Sequence, residues 1–597
     1  MNKIELAVIN WDDTNRKKNH ISLTGLVEKN SKKIRKEYID FVDNISNHKI
    51  NSLSVNSALK IDEDFSLWWM SILHEKNFYK SPNIKDCLKI IALKDYLINN
   101  LNENIHIINV PLYCKYSINQ LTQNTNIKLM IQYQISNKLK FKISVKIPFF
   151  LKSFYTLIKY YFLSLFFNKD KTCNKLKSNK EILIVSYFLN FDKEDLKNKK
   201  FTSDYWGKLI NNLKRNGYLV NWLHMFPTDN GQKNKKFLNS LNYINNTSKN
   251  ENHYFIENYT TFRIFLLTLI NYIKISFLAK KFANHKDSLN CKKNNIFFWD
   301  LLKDDWQNSL LGSNLMRNIL IYYQFSEFIK NIPKQKKILY LHEGQGWEKA
   351  LLNTVKKTHK SELIAVIQSP IRFWDIKLFS SLKNEKVNKF NSLTIPDQIA
   401  VNTYDGINML VEYGVDSNKL FMVEPLRYKK ISNYNVLDYS IHKIRILVLG
   451  GYLKELTREL LESTNMLKEE LSFNFRSHPG YVIDTKNYNV TNDNNSTIEK
   501  SLIENDIIII AGDSSAAIDA YLAKKFVIIY TKKGDLNYSP LRNYTDIKFM
   551  SDKNSLRQYI LELNTKCKND RSLLKSKDVK KIYSENMDNK KWKSLLE

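Results

Sequence analysis

The chain is poor in glycine, proline and cysteine, with 14, 10 and 5 of these residues among 597. So little glycine and proline excludes collagen-like and proline-rich disordered classes. The cysteines are far apart, odd in number and without a CxxC pair, so they indicate neither a disulfide framework nor a zinc site. They are Cys87, Cys114, Cys173, Cys291 and Cys567. Such a set fits a reducing cytoplasm.

A signal peptide is also lacking. The stretch MNKIELAVINWDD has no basic region, no long apolar region and no small-residue cleavage site, so we expect no secretion. The length exceeds the roughly 250–300 residues at which single cores stop growing, which predicts two or three domains. With 43% hydrophobic and 13% aromatic residues, we expect a globular cytoplasmic protein.

Acidic residues are scarce relative to basic ones, and the formal net charge is +32. A field of this sign attracts nucleic acid, anionic lipid or a phosphorylated substrate. The abundance of Lys, Asn and Ile is typical of an AT-rich genome, so not every lysine indicates a partner. The charge is spread along the chain and no nucleic-acid-binding module is recognised, so we expect no nucleic-acid partner.

Two apolar stretches, 147–167 and 262–282, are each about as long as a bilayer is thick. Polar and basic residues interrupt both stretches: Lys152, Lys159, Arg263, Asn271 and Lys274. Charges at mid-span are costly, so we expect no membrane crossing. Buried core helices are the first interpretation, and helices lying on an anionic membrane surface are the alternative, which would make the protein peripheral on the inner face of the membrane.

From KEILIVSYF onwards, continuous apolar strands alternate with helices, as in NDIIIIAGDSSAAIDAYLAKKFVIIY, while the Asn- and Lys-rich segment 227–253 is predicted to be a loop. This alternation is typical of parallel sheets covered on both faces. The predicted fold class is α/β, with two doubly wound Rossmann-like domains facing a cleft and an N-terminal α/β extension. The predicted divisions are an N-terminal α/β domain 1–135, an aromatic and basic connecting segment 136–180, Rossmann-like domains 181–435 and 436–565, and a basic helical tail 566–597.

In open α/β sheets, ligands bind at the carboxyl ends of the strands. Polar or glycine residues follow five predicted strands: Glu343, Gln368, the pair Gly450 and Gly451, His478, and the run Asp513, Ser514 and Ser515. The serines would begin a helix whose free N–H groups could hold a phosphate, or would only cap it. The glycine pair is either a phosphate-approach loop or a tight turn.

The stretch FRSHPG places His478 before Pro479, with Arg476 nearby. Proline restricts the backbone on its N-terminal side, so the imidazole would be held in one direction. His478 could then donate to a phosphate oxygen, with Arg476 as a second cation. The alternative is an ordinary loop histidine.

GG after one strand, RSHP after the next and DSSAAIDAYLAKKFVIIY after a third resemble the donor-binding domain of GT-B glycosyltransferases. The likeness is to bacterial sialyltransferases, Kdo transferases and CDP-glycerol glycerophosphotransferases. It implies that His478, Pro479, Ser514 and Ser515 hold the phosphate of a cytidine nucleotide.

Other segments, among them DFSLWWMSILHEKNFYKS, LYLHEGQGWEKALL and VIQSPIRFWDIKLF, resemble proteins of surface carbohydrate biosynthesis. The resemblance to cytidine-nucleotide transferases implies an N-terminal-side carboxylate that deprotonates the acceptor. Glu343 is our candidate base, although HEG departs from the pair of acids found there, and Asp375 is the alternative. Gln345, Gln368 and Arg372 could bind the acceptor, and Trp347 could stack on a sugar or belong to the core.

These resemblances imply an inverting, metal-independent transferase of bacterial surface polysaccharide biosynthesis, with no cofactor besides the donor substrate. The donor would be a nucleotide-activated, CMP-linked sugar, and the acceptor a glycan or lipid-linked glycan. The alternatives are a UDP-sugar or CDP-glycerol transferase, or a non-catalytic assembly factor at the membrane.

Overall fold

The computed structural model contains three parallel sheets. It describes residues 6–13, 16–100, 104–123, 129–134, 148–165, 167, 181–189, 191–203, 205–227, 236–291, 296–359, 361–380, 393–426, 444–451, 453–465, 467, 471–478, 481–494, 496–569, 582–583 and 589–597. Pro479 lies outside this set.

The N-terminal sheet has four strands in the spatial order Ile21–Ser22, Leu6–Asn10, Asn104–Pro111 and Leu129–Gln134. Short antiparallel strand pairs, helices and 3₁₀ turns separate its strands along the chain. The short strands pair as Lys49–Ile50 with Leu53–Ser54 and Lys60–Asp62 with Phe65–Ser66. The helices are Leu23–Lys29, Ser31–Ile45, Val55–Ala58, Ile72–Glu75, Ile84–Asn99 and Lys115–Gln123, with 3₁₀ turns at Leu67–Met70 and Leu112–Cys114.

The middle sheet has seven parallel strands. Their spatial order is Glu251–Phe255, Leu219–Met225, Glu181–Tyr187, Lys337–Leu341, Glu362–Ile367, Gln398–Val401 and Leu420–Met422. Alternate residues of each strand enter two different cores: Ile182 and Ile184 lie in one, and Leu183 and Val185 in the other. Both faces of this sheet are therefore covered, which explains its continuous apolar strands.

Helices and turns surround the middle sheet. They are Phe149–Leu165, Lys193–Lys197, Leu209–Arg215, Leu238–Thr247, Phe262–Ala283, Trp299–Leu311, Ser313–Asn331, Gly346–Thr358 and Tyr404–Glu412, with 3₁₀ turns at Ile256–Tyr259, Lys286–Leu289, Ile376–Leu378 and Ser417–Lys419. A short antiparallel pair joins Asn290–Cys291 to Ile296–Phe297.

The C-terminal sheet has six parallel strands in the order Thr491–Asn492, Ser472–Arg476, Arg445–Leu449, Ile507–Ala511, Phe526–Tyr530 and Lys548–Met550. Its helices are Lys454–Asn465, Ile498–Ile503, Ala516–Leu522 and Lys553–Asn569. Separate apolar cores cover its two faces. The predicted α/β class, with two doubly wound domains and an N-terminal α/β extension, is confirmed.

The predicted loop at 227–253 is wrong in its second half. A helix, Leu238–Thr247, and an edge strand, Glu251–Phe255, occupy it. The strand escaped the apolar pattern because its buried residues include Glu251, Asn252 and His253, which bond to other side chains instead of packing against apolar ones.

The core-helix interpretation of the two apolar stretches is also wrong for most of their residues. The helix Phe149–Leu165 buries Ser153, Leu157 and Ser164, while half of its large apolar side chains are exposed. The helix Phe262–Ala283 likewise buries one stripe and exposes the other. Both lie on the surface of the middle domain.

The C-terminal helix Lys590–Leu596 returns to the middle sheet, where Trp592 is 1% exposed. The Glu424 carboxylate accepts hydrogen bonds from the backbone N–H groups of Lys591 and Trp592 and so caps this helix. The end of the predicted basic tail therefore packs into the middle domain and covers one face of its sheet.

The N-terminal unit contacts both sheets that follow it. Its Arg35 is fully buried and donates to the Tyr413 hydroxyl and the Phe373 carbonyl of the middle domain. Its Glu28 accepts a salt bridge of 2.6 Å from Arg542 of the C-terminal domain. These contacts tie the extension to both lobes of the protein.

Candidate functional site

In the C-terminal sheet, the strands that follow Arg445–Leu449 are added first on one side of it and then, from Ile507–Ala511 onwards, on its other side. The strand order therefore reverses between these two neighbouring strands. Gly450 and Gly451 follow the first strand, and Asp513 follows the second. A β-carbon at Gly450 would lie 3.4 Å from the amide nitrogen of His478, and one at Gly451 would overlap the Asp513 carboxylate. The structure therefore brings the glycine pair, His478 and Asp513 together at this crevice.

The backbone amides of the glycine pair are already hydrogen-bonded within the protein. The Gly450 N–H donates to the carbonyl of Arg476 at 3.0 Å, and the Gly451 N–H donates to Oγ1 of Thr457 at 3.1 Å. Both amides are therefore occupied within the protein. These bonds argue against a phosphate-approach loop, and glycine is needed here because a β-carbon would press on Thr457 and Asp513.

Asp513 is 5% exposed, and within the described part of the chain its carboxylate oxygens have no well-aligned hydrogen bond, only weaker contacts with the backbone N–H groups of Asp513 and Leu453. Burial raises the pKa of this carboxyl group, and the Arg372 charge, the nearby backbone N–H groups and His478 oppose that rise. Two buried acceptor oxygens without well-aligned donors are costly, so the site favours a ligand that supplies O–H or N–H groups. Hydroxyls of a ribose or a sugar fit this requirement better than a phosphate.

The serine pair lies beside Asp513. The following helix, Ala516–Leu522, has only seven residues, and Ser515 occupies its N-cap without a side-chain capping bond. Oγ of Ser514 accepts a long 3.4 Å contact from the Ala516 N–H. The expected helix-end phosphate site is therefore weaker than the sequence suggested, and the two hydroxyls are what this turn offers to a ligand.

The Arg476 side chain has a structural role in the described residues. Its guanidinium donates to the carbonyls of Asp493 and Ser496, in the loop beyond the strand Thr491–Asn492. These bonds argue against the expectation that Arg476 is a second phosphate-binding cation, because Nη1 is held by two backbone carbonyls of this loop.

The middle sheet reverses its winding between the strands Glu181–Tyr187 and Lys337–Leu341. Glu343 follows the second of these strands, in a loop whose Gly344 has φ of +69°. A β-carbon at Gly344 would lie 2.5 Å from the carbonyl oxygen of Lys377. Glycine is therefore required on both conformational and steric grounds, and the loop is held against the 3₁₀ turn Ile376–Leu378.

Hydrogen bonds fix the direction of the Glu343 carboxylate. Its Oε2 accepts from Nε2 of Gln345 at 2.8 Å, and Oε1 of Gln345 accepts from the Tyr187 hydroxyl at 2.8 Å. The buried Glu348 accepts from the N–H groups of Glu343 and Gln345 and from Nδ1 of His342. Gln345 and Glu348 thus form a capping box that pins the loop to the helix Gly346–Thr358.

Trp347 and Gln368 are both buried. The Trp347 ring is 6% exposed and packs on Tyr187, Phe325 and Tyr340, so it belongs to the core and does not present a face to a sugar. Gln368 is 7% exposed, and its Nε2 has no partner among the described residues, whereas its backbone carbonyl accepts from Asn402. Gln368 therefore retains a free donor at a strand end.

Arg372 connects the two lobes. Its guanidinium donates to the backbone carbonyl of Asp513 at 2.7 Å. The Asp375 carboxylate accepts from the Arg372 N–H at 2.9 Å and so stabilises the turn that carries this arginine. Arg372, expected on the acceptor side, thus lies at the donor-side crevice, and Asp375, the alternative base, helps to form this turn.

Sequence reasoning missed two residues of the site. Tyr187 ends an apolar strand, so the strand-end rule could have found it. Glu75 comes from the N-terminal unit, is 7% exposed, and accepts from the Gly346 N–H at 2.7 Å. No local signal indicates this contact, because the two residues are 271 positions apart.

The described residues contain no group of three or more His, Cys, Asp or Glu side chains that could hold a metal ion. Across the described chain, the polar groups that face the two reversal points are thus carboxylates, hydroxyls, an amide, an imidazole and a guanidinium.

No family model and no curated protein matches this chain. Among solved structures, it is similar to a UDP-N-acetylglucosamine 2-epimerase, with 11% identity, coverage of 65% of this chain and 88% of the other, and a TM-score of 0.35. A glycosyltransferase from Rickettsia africae ESF-5 has 12% identity, coverage of 67% and 92%, and a TM-score of 0.34. MurG of Acinetobacter baumannii has 11% identity, coverage of 64% and 90%, and a TM-score of 0.33. Similarities at these identities and TM-scores support no statement about activity, and the fold is assigned from the order and direction of the strands.

Proposed function

We propose that the protein is a glycosyltransferase that moves a sugar from a nucleotide-activated donor to a glycan acceptor with inversion at the anomeric carbon. One observation carries this proposal. Arg372 of the middle domain, His478 and the donor-poor carboxylate of Asp513 converge where two doubly wound sheets meet. Donors to a phosphate beside a carboxylate that can accept hydrogen bonds suit a nucleotide sugar, which presents both phosphate and hydroxyl groups.

In the proposed reaction, the acceptor oxygen attacks the anomeric carbon and the bond from that carbon to the phosphate oxygen breaks. The departing nucleotide keeps the electron pair. His478 and Arg372 stabilise the charge on its phosphate, and the hydroxyls of Ser514 and Ser515 donate to its oxygens. Asp513 accepts hydrogen bonds from hydroxyls of the ribose or the sugar.

Glu343 is the proposed general base and takes the proton of the acceptor hydroxyl. Support comes from the Tyr187, Gln345 and Glu348 hydrogen bonds, which hold its loop in one conformation. A base that is oriented in advance loses less entropy in the reaction. Gln368 has a free buried donor that could bind an acceptor oxygen.

The finer proposal is a CMP-linked sugar, no cofactor beyond this donor, no metal, and a role in bacterial surface polysaccharide synthesis. It is supported by the HP and serine motifs and by the carbohydrate-biosynthesis segments of the sequence. The competing assignments are a UDP-sugar or CDP-glycerol transferase and a non-catalytic assembly factor.

The test is to titrate the full chain with CMP, CDP and UDP and to measure binding by calorimetry and by the shift in thermal denaturation. We expect CMP to bind more tightly than UDP, and His478→Ala to weaken nucleotide binding and abolish transfer while the circular dichroism spectrum is retained. Asp513→Asn, which keeps one acceptor oxygen, should weaken binding less than Asp513→Ala. Arg476→Lys is the matched control, because its side chain faces the neighbouring loop.

Tighter binding of UDP would replace the CMP assignment by a UDP-sugar enzyme. Absence of binding for all three nucleotides would favour the assembly factor. Normal transfer by His478→Ala would overturn the proposed role of the imidazole.

A further inference from the structure

Two neighbouring surface helices expose an unusual amount of apolar side chain. Eleven of the twenty-two exposed large hydrophobic residues in the described chain lie on the helices Phe149–Leu165 and Phe262–Ala283. We call them the outer face: Phe149, Phe150, Leu151, Tyr155, Phe162, Leu165, Phe262, Leu266, Ile270, Ile273 and Phe277. Contiguous apolar patches of this kind mark sites of interaction.

The first helix has an inverted pattern for a protein in water. Two of its three buried residues are Ser153 and Ser164, beside Leu157, whereas Tyr155 is 67% exposed and Phe162 is 59% exposed. A helix that packs on a soluble core normally turns its aromatic residues inwards and its hydroxyls outwards. The pattern therefore indicates that another apolar medium covers the outward side.

The two helices form one continuous surface. Phe150 lies against Tyr272 with ring centroids 6.2 Å apart, and Tyr161 lies against Phe265 at 5.1 Å, so the helices run antiparallel side by side. Ser153 and Tyr272 both donate to the carbonyl of Leu311. This shared carbonyl holds both helices against Trp299–Leu311, which ends at Leu311, and against Ser313–Asn331, which begins just after it.

The charge of this surface selects the kind of partner. Neither helix contains an aspartate or a glutamate, and together they carry six basic residues: Lys152, Lys159, Arg263, Lys274, Lys280 and Lys281. Of these, Arg263 forms a salt bridge of 2.8 Å with Glu327. A second copy of the same face would bring like charges together, whereas anionic lipid offers an apolar interior below a negative surface.

The second helix passes the length and composition test for crossing a membrane, and it does so alone among the helices the structure describes. Its buried stripe, however, includes Ile264, Tyr272, Ile275 and Phe282, and it packs lengthwise on the helices Trp299–Leu311 and Ser313–Asn331. Crossing would require this stripe to leave the domain core. The arrangement fits a helix that lies in the membrane interface.

We propose that the outer face docks the protein on an anionic phospholipid bilayer, with its aromatic and aliphatic side chains inserted among the lipids and its lysines at the headgroups. The helix Ser313–Asn331 separates this face from the candidate site: its Arg317 lies 5.7 Å from the Tyr160 ring, and its Phe325 stacks on Trp347. A lipid-linked acceptor would then approach Glu343 from the bilayer side, a consequence that rests on the proposed function.

The test is co-sedimentation of the full chain with phosphatidylcholine vesicles, with and without phosphatidylglycerol. We expect binding only to the anionic vesicles, decreasing as salt is raised. The outer-face variant is Tyr155→Ser, Ile270→Ser and Phe277→Ser combined, and it should reduce partitioning by more than about tenfold. Changing Lys152 and Lys159 to Gln should reduce it by about fivefold per lysine.

The matched control replaces three residues of similar exposure elsewhere: Tyr79→Ser, Met130→Ser and Val482→Ser. We expect it to bind vesicles like the unchanged protein, and circular dichroism checks that each variant is folded.

Equal loss in both triple variants, or no binding to either vesicle, would overturn the proposal. If the unchanged protein does not bind vesicles but forms dimers, and the outer-face variant is monomeric, the outer face binds a second copy of the chain instead. Resistance of the native protein to alkaline extraction from membranes would replace docking by crossing. None of these readouts requires transferase activity, so the docking and the proposed function fail separately.

Discussion

The loop that carries Glu343 requires Gly344, and Gly217 offers a control with the same left-handed backbone. Gly344 has φ of +69° and Gly217 has φ of +79°, so an added β-carbon meets the same left-handed backbone at both positions. The surroundings differ. At Gly344 the β-carbon would lie 2.5 Å from the Lys377 carbonyl oxygen, whereas at Gly217 nothing lies within 4 Å. The pair Gly344→Ala and Gly217→Ala therefore separates the conformational cost from the steric one.

The left-handed conformation costs alanine about 1 kcal/mol, which both variants share. Relief of the clash at Gly344 must move a backbone carbonyl, because no flexible side-chain end is there to give way. Overpacking of this kind adds about 1–3 kcal/mol. We expect a loss of about 1 kcal/mol for Gly217→Ala and about 2–4 kcal/mol for Gly344→Ala.

Thermal denaturation of both variants checks the difference, and a shift of about 2–4 °C corresponds to 1 kcal/mol in a domain of this size. If the proposed function holds, Gly344→Ala also loses transfer at temperatures where it stays folded, because Glu343 moves with the loop. Equal midpoints for the two variants would refute the argument that the turn at Ile376–Leu378 clamps the glycine.

Two further predictions concern buried rings. Burial lowers the pKa of His224 to about 3, whereas the unfolded chain binds a proton near 6.5, so the free energy of unfolding falls as pH drops between these values, by about 1.4 kcal/mol per pH unit. Urea denaturation at pH 6 and pH 4 should show a smaller loss for His224→Gln than for the unchanged protein, and parallel losses would contradict this assignment. Trp347→Ala should cost about 3–5 kcal/mol of stability; a sugar-stacking role would instead raise the acceptor KM and leave the melting temperature unchanged.

Much of the fold could be predicted because parallel strands buried on both faces leave long apolar runs in the sequence. The edge strand Glu251–Phe255 could not, since its buried Asn252 and His253 replace apolar packing by hydrogen bonds. The strand-end rule located Glu343, His478 and Asp513, because the residue after a parallel strand lies at one edge of the sheet. It could not show that Arg476 turns to the carbonyls of Asp493 and Ser496.

By itself, the sequence determined the alternation of strand and helix and the polar residue that follows each strand, because both depend on neighbouring positions in the chain. Only the tertiary structure decided that Arg372 reaches Asp513, 141 positions away, and that Glu75 caps the helix behind Glu343. It also decided that Trp347 is turned inwards and Tyr155 outwards. The physical reason is that periodicity states how apolar a face is, whereas the medium that covers this face depends on contacts between distant segments.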